Sequence, residues 1–146
     1  MLLSIPDIRQ QRDYDCGAAA LDAVCRYWGK RARGPVALAS PVEGMAPDTV
    51  AAWLRSLGAR VLAGGLFGVS CLQHYTRSGL PVLCPITLEG VGHWVVVRGV
   101  ERNKVYYHDP ATGPDSMSAR AWLDCWRDST GGGHTYDRWG IVAQFE

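Results

Sequence analysis

Residues 15–29, DCGAAALDAVCRYWG, form the stretch of sequence that decides the fold. Gly29 follows the last apolar residue of the stretch, as glycine often does just beyond a helix C-terminus. Apolar side chains recur at helical spacing and would share one face: Ala18, Leu21, Val24, Cys25 and Trp28. The pattern predicts an amphipathic helix that begins at or beside Cys16.

Three further helices are predicted after this stretch. Residues 47–58, PDTVAAWLRSLG, open with a proline, carry apolar side chains one helical turn apart and end in glycine. Residues 70–78 predict a shorter helix. Residues 118–127, SARAWLDCWR, predict the last one, with Ser118 as its N-cap.

The second half of the chain is typical of β-strands. Its short runs are rich in Val, Ile and Tyr and are bounded by Gly, Pro or Asn. The runs are PVLCPITL (81–88), HWVVVRGV (93–100), KVYYHDP (104–110) and GIVAQFE (140–146). A tight turn at residues 101–103 indicates an antiparallel hairpin. Helices followed by an antiparallel sheet predict an α+β fold.

Length and composition narrow the class of protein. The 146 residues match the roughly 150-residue size of one domain, so we expect a single domain over 1–146. The net charge of +1 gives no field that would attract a nucleic acid, and no stretch is apolar enough for an integral membrane segment. Five cysteines without a CxxC pair, and no signal-peptide pattern, predict a reduced protein of the cytoplasm.

Cys16 is the candidate nucleophile. At the start of a helix, unpaired backbone N–H groups and the helix dipole stabilise a thiolate, and Gly17 leaves space for a substrate carbonyl. The alternative is structural, because Asp15 could cap the helix and Cys16 could be no more than a small residue that follows it.

Four histidines could carry the proton for such a thiol. His93 opens an apolar strand, where it is either a rigidly held base or a buried core side chain. Asp109 ends the next strand and could orient its imidazole, although an Asp-Pro pair is also a common turn. His108 should point to the opposite face from Asp109. The other two, His74 and His134, are not aimed at the helix start.

Gln10 and Gln11 are candidate donors to an oxyanion, beside the backbone N–H of Cys16. The alternative is that both are solvated side chains in a polar arm. The histidines and cysteines show none of the spacings of a metal site, so we expect neither a metal nor another cofactor.

Three motifs taken together resemble the C39 family of papain-like cysteine peptidases. They are IRQQRDYDCGAAAL (8–21), GHWVVVRGV (92–100) and YYHDPATG (106–113). The resemblance implies a papain-like fold, with N-terminal helices packed on an antiparallel sheet. It implies Cys16 as nucleophile, His93 as base, Asp109 as the orienting carboxylate and Gln10 in the oxyanion hole.

The same resemblance implies a substrate and a partner. Members of the family cut leader peptides from bacteriocins and related peptides, usually after a Gly-Gly pair, and many are domains of peptide-exporting ABC transporters. This chain carries no transporter segments, so it is either a free-standing member that could act with a transporter in trans or a trimmed domain.

Other activities remain open at this point. The same four residues could serve a deamidase, an isopeptidase or an acyl transferase, since all of these proceed through a thioester. A non-catalytic peptide-binding module is a further alternative, because a fold does not settle a function.

Overall fold

The computed structural model describes residues 2–11, 16–30, 46–65, 67–129 and 135–146. Within these ranges there are four helices: α1 (Cys16–Tyr27), α2 (Pro47–Ser56), α3 (Val69–Arg77) and α4 (Ala119–Cys125). Each lies in a stretch where the sequence predicted a helix. The Ser118 hydroxyl accepts a hydrogen bond from the Ala121 backbone N–H at 3.1 Å, so the predicted cap of α4 is also present.

Eight strands are found in the same part of the chain. They are β1 (Arg60–Gly64), β2 (Val82–Leu88), β3 (Val91–Glu101), β4 (Lys104–Asp109), β5 (Gly113–Ser118), β6 (Arg127–Ser129), β7 (Thr135–Asp137) and β8 (Gly140–Gln144). Six of them form one antiparallel sheet in the order β1-β8-β2-β3-β4-β5, and β6 pairs with β7 in a small second sheet. The predicted α+β class, helices on an antiparallel sheet, is confirmed.

The core lies on both faces of the sheet. Leu83 pairs with Val96 across β2 and β3, and both belong to an apolar cluster with α1 and α2. The next pair along, Cys84 and Val95, belongs to a second cluster that includes side chains of α3 and α4. Because both faces are covered, β2 and β3 are nearly continuous apolar runs. Full burial of one such Leu or Val contributes about 1.5–3 kcal/mol.

Residues 2–11, called the N-terminal arm below, lie along the sheet without forming a strand or helix. The Leu3 N–H donates to the carbonyl of Arg98 at 2.8 Å, where a bulge interrupts the pairing of β3 with β4. The Gln10 N–H donates to the carbonyl of Pro110 at 2.9 Å, just beyond the end of β4. The arm is therefore attached at both of its ends.

Four strands were not predicted: β1, β5, β6 and β7. The first two are the edges of the large sheet, and β5 has the polar sequence GPDSMS. An edge strand has one open side, so it tolerates a proline and needs little apolar alternation. In the part of the chain described here, we find no helix with the length and apolar character needed to span a bilayer.

Candidate active site

Cys16 is the first residue of α1, as the sequence predicted. The small side chains that follow it, Ala18 and Ala20 among them, are buried in the cluster between α1 and the sheet. This packing holds the helix start against β3. Only 6% of Cys16 is exposed, so only a narrow part of a substrate can reach its thiol. Asp15, which the alternative interpretation makes the cap of this helix, lies outside the described residues.

His93 on β3 contacts both of the other groups predicted for the site. Its Nε2 lies 2.5 Å from Oδ1 of Asp109, the last residue of β4. The same imidazole is hydrogen-bonded to the side chain of Cys16. Because Nε2 faces the carboxylate, Nδ1 is the nitrogen that remains for the sulfur. The structure thus brings together Cys16, His93 and Asp109, which are far apart in the sequence.

The electrostatics of His93 favour its charged form. Burial by itself lowers the pKa of the imidazole, but hydrogen bonds to Asp109 and Cys16 outweigh it and raise that pKa from 6.5 to about 9. A protonated imidazole between a sulfur and a carboxylate can stabilise negative charge on the sulfur and can later donate a proton.

Asp109 is held as a carboxylate. Burial raises its pKa, yet the hydrogen bonds from His93 and from the Ala111 backbone N–H leave the pKa below its ordinary value. The Ala111 N–H lies 2.8 Å from Oδ1, the same oxygen that faces His93. The Asp-Pro turn predicted as an alternative is therefore part of the same arrangement, because the turn supplies this second donor.

Gln10 lies in the N-terminal arm beside the loop that follows Asp109. Its backbone N–H donates a hydrogen bond to the carbonyl of Pro110, and its side-chain amide oxygen is buried. Gln11 is exposed at the surface. Of the two candidate glutamines, Gln10 is the one that the structure places next to the Asp109 loop.

The other histidines have other surroundings. His108 is buried, and its Nε2 lies 2.7 Å from Oδ1 of Asp7, so it belongs to a different cluster from its neighbour Asp109. His74 lies on α3, edge-on to Tyr75. His134 is outside the described residues. The Asp7–His108 pair was missed in the sequence, where nothing local connects residues 101 positions apart.

The thiols differ sharply in environment. Burial raises the pKa of Cys25 to about 12 and that of Cys84 well above its ordinary value. Cys71 is exposed, and Cys125 lies 3.7 Å from the sulfur of Met117. Across the described ranges, no three His, Cys, Asp or Glu side chains converge as metal ligands would.

The chain is similar to known proteins in both sequence and fold. The sequence profile of the Peptidase_C39 like family matches residues 2–133. The chain belongs to that family. The predicted enzyme class, a cysteine peptidase, is thereby confirmed.

One curated relative is the probable functional amyloid protease FapD of Pseudomonas fluorescens, 28% identical over 130 residues. The match covers 82% of this chain and 56% of the relative, so the chain spans little more than half the length of that protein.

Solved structures of family members share the fold. A C39-like peptidase from Bacillus anthracis superposes with a TM-score of 0.75 at 13% identity, over 99% of this chain and 98% of the other. The peptidase domain of Streptococcus ComA, a bifunctional ABC transporter, gives 0.73 at 18% identity over 95% and 97%. A double glycine motif protease of an AMS/PCAT transporter, in complex with the leader peptide, gives 0.70 at 18% over 97% and 92%.

Proposed function

We propose that the chain acts as one peptidase domain in which Cys16, His93 and Asp109 form the catalytic triad and Gln10 completes the oxyanion hole. One observation carries this proposal: a single imidazole is hydrogen-bonded both to the thiol at the start of α1 and to a buried carboxylate. A nucleophile, a base and a group that orients the base are the three parts that acyl transfer through a thiol requires.

In the proposed reaction, the Cys16 sulfur attacks the carbonyl carbon of the scissile peptide bond and its thiol proton resides on His93. The carbonyl oxygen becomes an oxyanion. As the C–N bond breaks, His93 gives its proton to the leaving amine and a thioester remains on Cys16. His93 then takes a proton from water, the hydroxide attacks the thioester, and the acid and the free thiol are released.

Gln10 is proposed to donate its side-chain N–H to the oxyanion, together with the backbone N–H of Cys16. The first N–H groups of a helix have no partner within the helix, so the Cys16 N–H is suited to this role. Removing one such donor typically costs about 10²–10³ in kcat. The support for Gln10 is its attachment beside the Asp109 loop, through the bond from its backbone N–H to Pro110.

The substrate that we propose is a leader peptide cut after a pair of glycines. The shared fold with a double glycine motif protease solved with a leader peptide supports this substrate class. The 6% exposure of Cys16 supports it independently, because residues without a Cβ allow the closest approach of a backbone to a buried sulfur.

We further propose that the enzyme acts in the cytoplasm together with an ABC transporter. The peptidase domain of ComA, whose fold is shared, belongs to such a transporter. The cytoplasmic location predicted from the cysteines is compatible with five thiols that form no disulfide. A bacteriocin-type precursor is the cargo that this arrangement would process.

The test is cleavage of a synthetic peptide that carries a Gly-Gly site, followed by mass spectrometry. We expect two fragments from wild type and none from Cys16→Ala. Cys71→Ala is the matched control, since it removes an exposed thiol on α3 and should leave the rate unchanged. A second peptide with Val-Val in place of Gly-Gly should be resistant.

Each contrary outcome has a distinct meaning. Equal cleavage by wild type and Cys16→Ala would eliminate Cys16 as the nucleophile. If the peptide stayed uncleaved and one of its amides were converted to an acid, the activity at this site would be that of a deamidase rather than a peptidase. Binding of the peptide without any product would indicate a non-catalytic module.

A further inference from the structure

We propose that Asp7 and His108 are positioning residues that hold the N-terminal arm so that Gln10 stays aligned with the oxyanion. The proposal rests on the proposed function, since it assigns a role to Gln10. It concerns a second His–carboxylate pair, one that takes no part in the triad.

The contact itself is specific. The His108 Nε2–H donates to Asp7 Oδ1 at 2.7 Å, because a carboxylate can only accept. His108 is 1% exposed, whereas the Asp7 side chain is 53% exposed. One partner is therefore fixed within the fold, and the other belongs to the arm that it restrains.

The arm is attached on both sides of Asp109. His108, the residue before Asp109, binds Asp7 through its side chain. Pro110, the residue after Asp109, accepts a hydrogen bond from the Gln10 backbone N–H at 2.9 Å. These two attachment points, which are additional to the one at Leu3, thus flank the carboxylate that contacts His93.

The segment between the attachments at Asp7 and Gln10 is short, so its ends cannot move far relative to each other. Two residues separate Asp7 from Gln10, so the chain between them can span at most roughly 11 Å. If the Asp7 contact is lost, this short segment is no longer fixed at its Asp7 end, while the packing of Ile8 and the hydrogen bond from the Gln10 N–H to Pro110 remain. A displacement of 1 Å in a reacting group can reduce a rate about 10²-fold. The rate should therefore be sensitive to any added freedom of Gln10 to move away from the oxyanion.

Arg9 completes the cluster from the solvent side. Its guanidinium binds the Asp7 carboxylate, with Nε 2.6 Å and Nη2 3.2 Å from the two oxygens. The hydrogen bonds from Arg9 and then from His108 lower the pKa of Asp7 to about 2. Asp7 therefore remains a charged acceptor for His108 throughout the neutral range.

Strand geometry separates this pair from the triad. Consecutive residues of β4 point to opposite faces of the sheet, so His108 and Asp109 serve different partners. His93 pairs with Asp109 and His108 pairs with Asp7. Asp7 consequently acts on the reaction through the arm rather than through the charge of the imidazole next to the thiol.

The test is a double-mutant cycle on peptide cleavage with Asp7→Ala, Gln10→Ala and the double variant. We expect Asp7→Ala to lower kcat about tenfold with little change in KM, and to have no further effect once Gln10 is Ala. Asp7→Asn keeps an acceptor oxygen for His108 and should restore most of kcat. Glu146→Ala is the matched control, because it removes an exposed carboxylate paired with Arg60.

A second measurement does not depend on turnover. Amide exchange followed by NMR should show the Gln10 N–H exchanging at least about tenfold faster in Asp7→Ala than in wild type. If wild type cleaves nothing, the proposed function fails while this exchange rate still decides whether Asp7 restrains the arm. Unchanged exchange, or independent losses of kcat in the cycle, would overturn the positioning role.

Discussion

His93 and Asp109 meet diagonally across two neighbouring strands. The register of β3 with β4 pairs Val96 with His108, so Asp109 lies across from Val95 and His93 lies two residues further along. Because β4 ends at Asp109, the chain turns away at the place where a residue opposite His93 would be. Diagonal neighbours of this kind are within reach of long side chains, and the 2.5 Å contact results.

The first prediction concerns the pH dependence of catalysis. In the proposed mechanism His93 must be protonated to release the amine, and its pKa is raised to about 9, so kcat/KM should fall as the pH rises through about 9. Asp109→Asn removes the charge that favours the imidazolium, so this alkaline limb should move to lower pH and kcat should drop. A limb at the same pH in Asp109→Asn would contradict the role of the carboxylate.

The second prediction concerns stability. A raised histidine pKa favours the folded state below the unfolded value of 6.5, and this contribution is lost as the pH rises from 6.5 to about 9. In urea titrations, wild type should therefore lose free energy of unfolding over that range relative to His93→Gln. A difference between the two proteins that is constant with pH would show that His93 is not charged in the folded state.

The third prediction concerns thiol reactivity. Iodoacetamide near pH 7 should modify Cys16 faster than Cys71, although Cys71 is exposed, because the proposed base His93 lies beside the Cys16 thiol and can take up its proton. His93→Ala should slow labelling of Cys16 at least about tenfold and leave Cys71, the internal control, unchanged. Peptide mapping by mass spectrometry gives both rates in one sample.

Two further thiols complete the labelling experiment. Cys25 and Cys84 are fully buried and have raised pKa values, so both should stay unmodified in the folded protein. If all the cysteines were labelled at similar rates, the reagent would be reacting with unfolded molecules, and the experiment would give no support for an activated Cys16 thiol.

The fourth prediction concerns Gly113 at the start of β5. Its φ of +94° disfavours any other residue, and a Cβ there would also press on the guanidinium of Arg9. Gly113→Ala should lower the free energy of unfolding by about 1–3 kcal/mol. Gly90→Ala is the matched control, with φ +78° and open space around the Cβ, and should cost less. Equal losses would show that Arg9 moves aside freely.

The local sequence pattern was sufficient to predict much of the fold. The helix from Cys16 was predicted because its apolar spacing and its glycine end lie in one stretch, and the structure has it over Cys16–Tyr27. The same holds for β2 and β3, whose β-branched residues are buried on both faces. The edge strands β1 and β5 were missed because their place depends on pairing partners rather than on their own composition.

In the candidate site, too, the residues with a local sequence signal were predicted and those that depend on long-range pairing were not. His93 and Asp109 were predicted because each ends or begins a strand with a polar side chain in an apolar setting. Asp7 was not, because an aspartate in a polar arm has no local feature that indicates a buried histidine 101 residues away. Long-range pairing of this kind becomes visible only once the strands are in place.

The position of β8 has a consequence for how the protein is made. Residues 140–144 insert between β1 and β2, so an interior position of the large sheet is filled by the last strand of the described residues. Until the ribosome has released those residues, β1 has no neighbour in the sheet and β2 has only one. Assembly of the large sheet therefore finishes only after translation of β8, and a nascent chain that stalls before it leaves two strand edges exposed to aggregation.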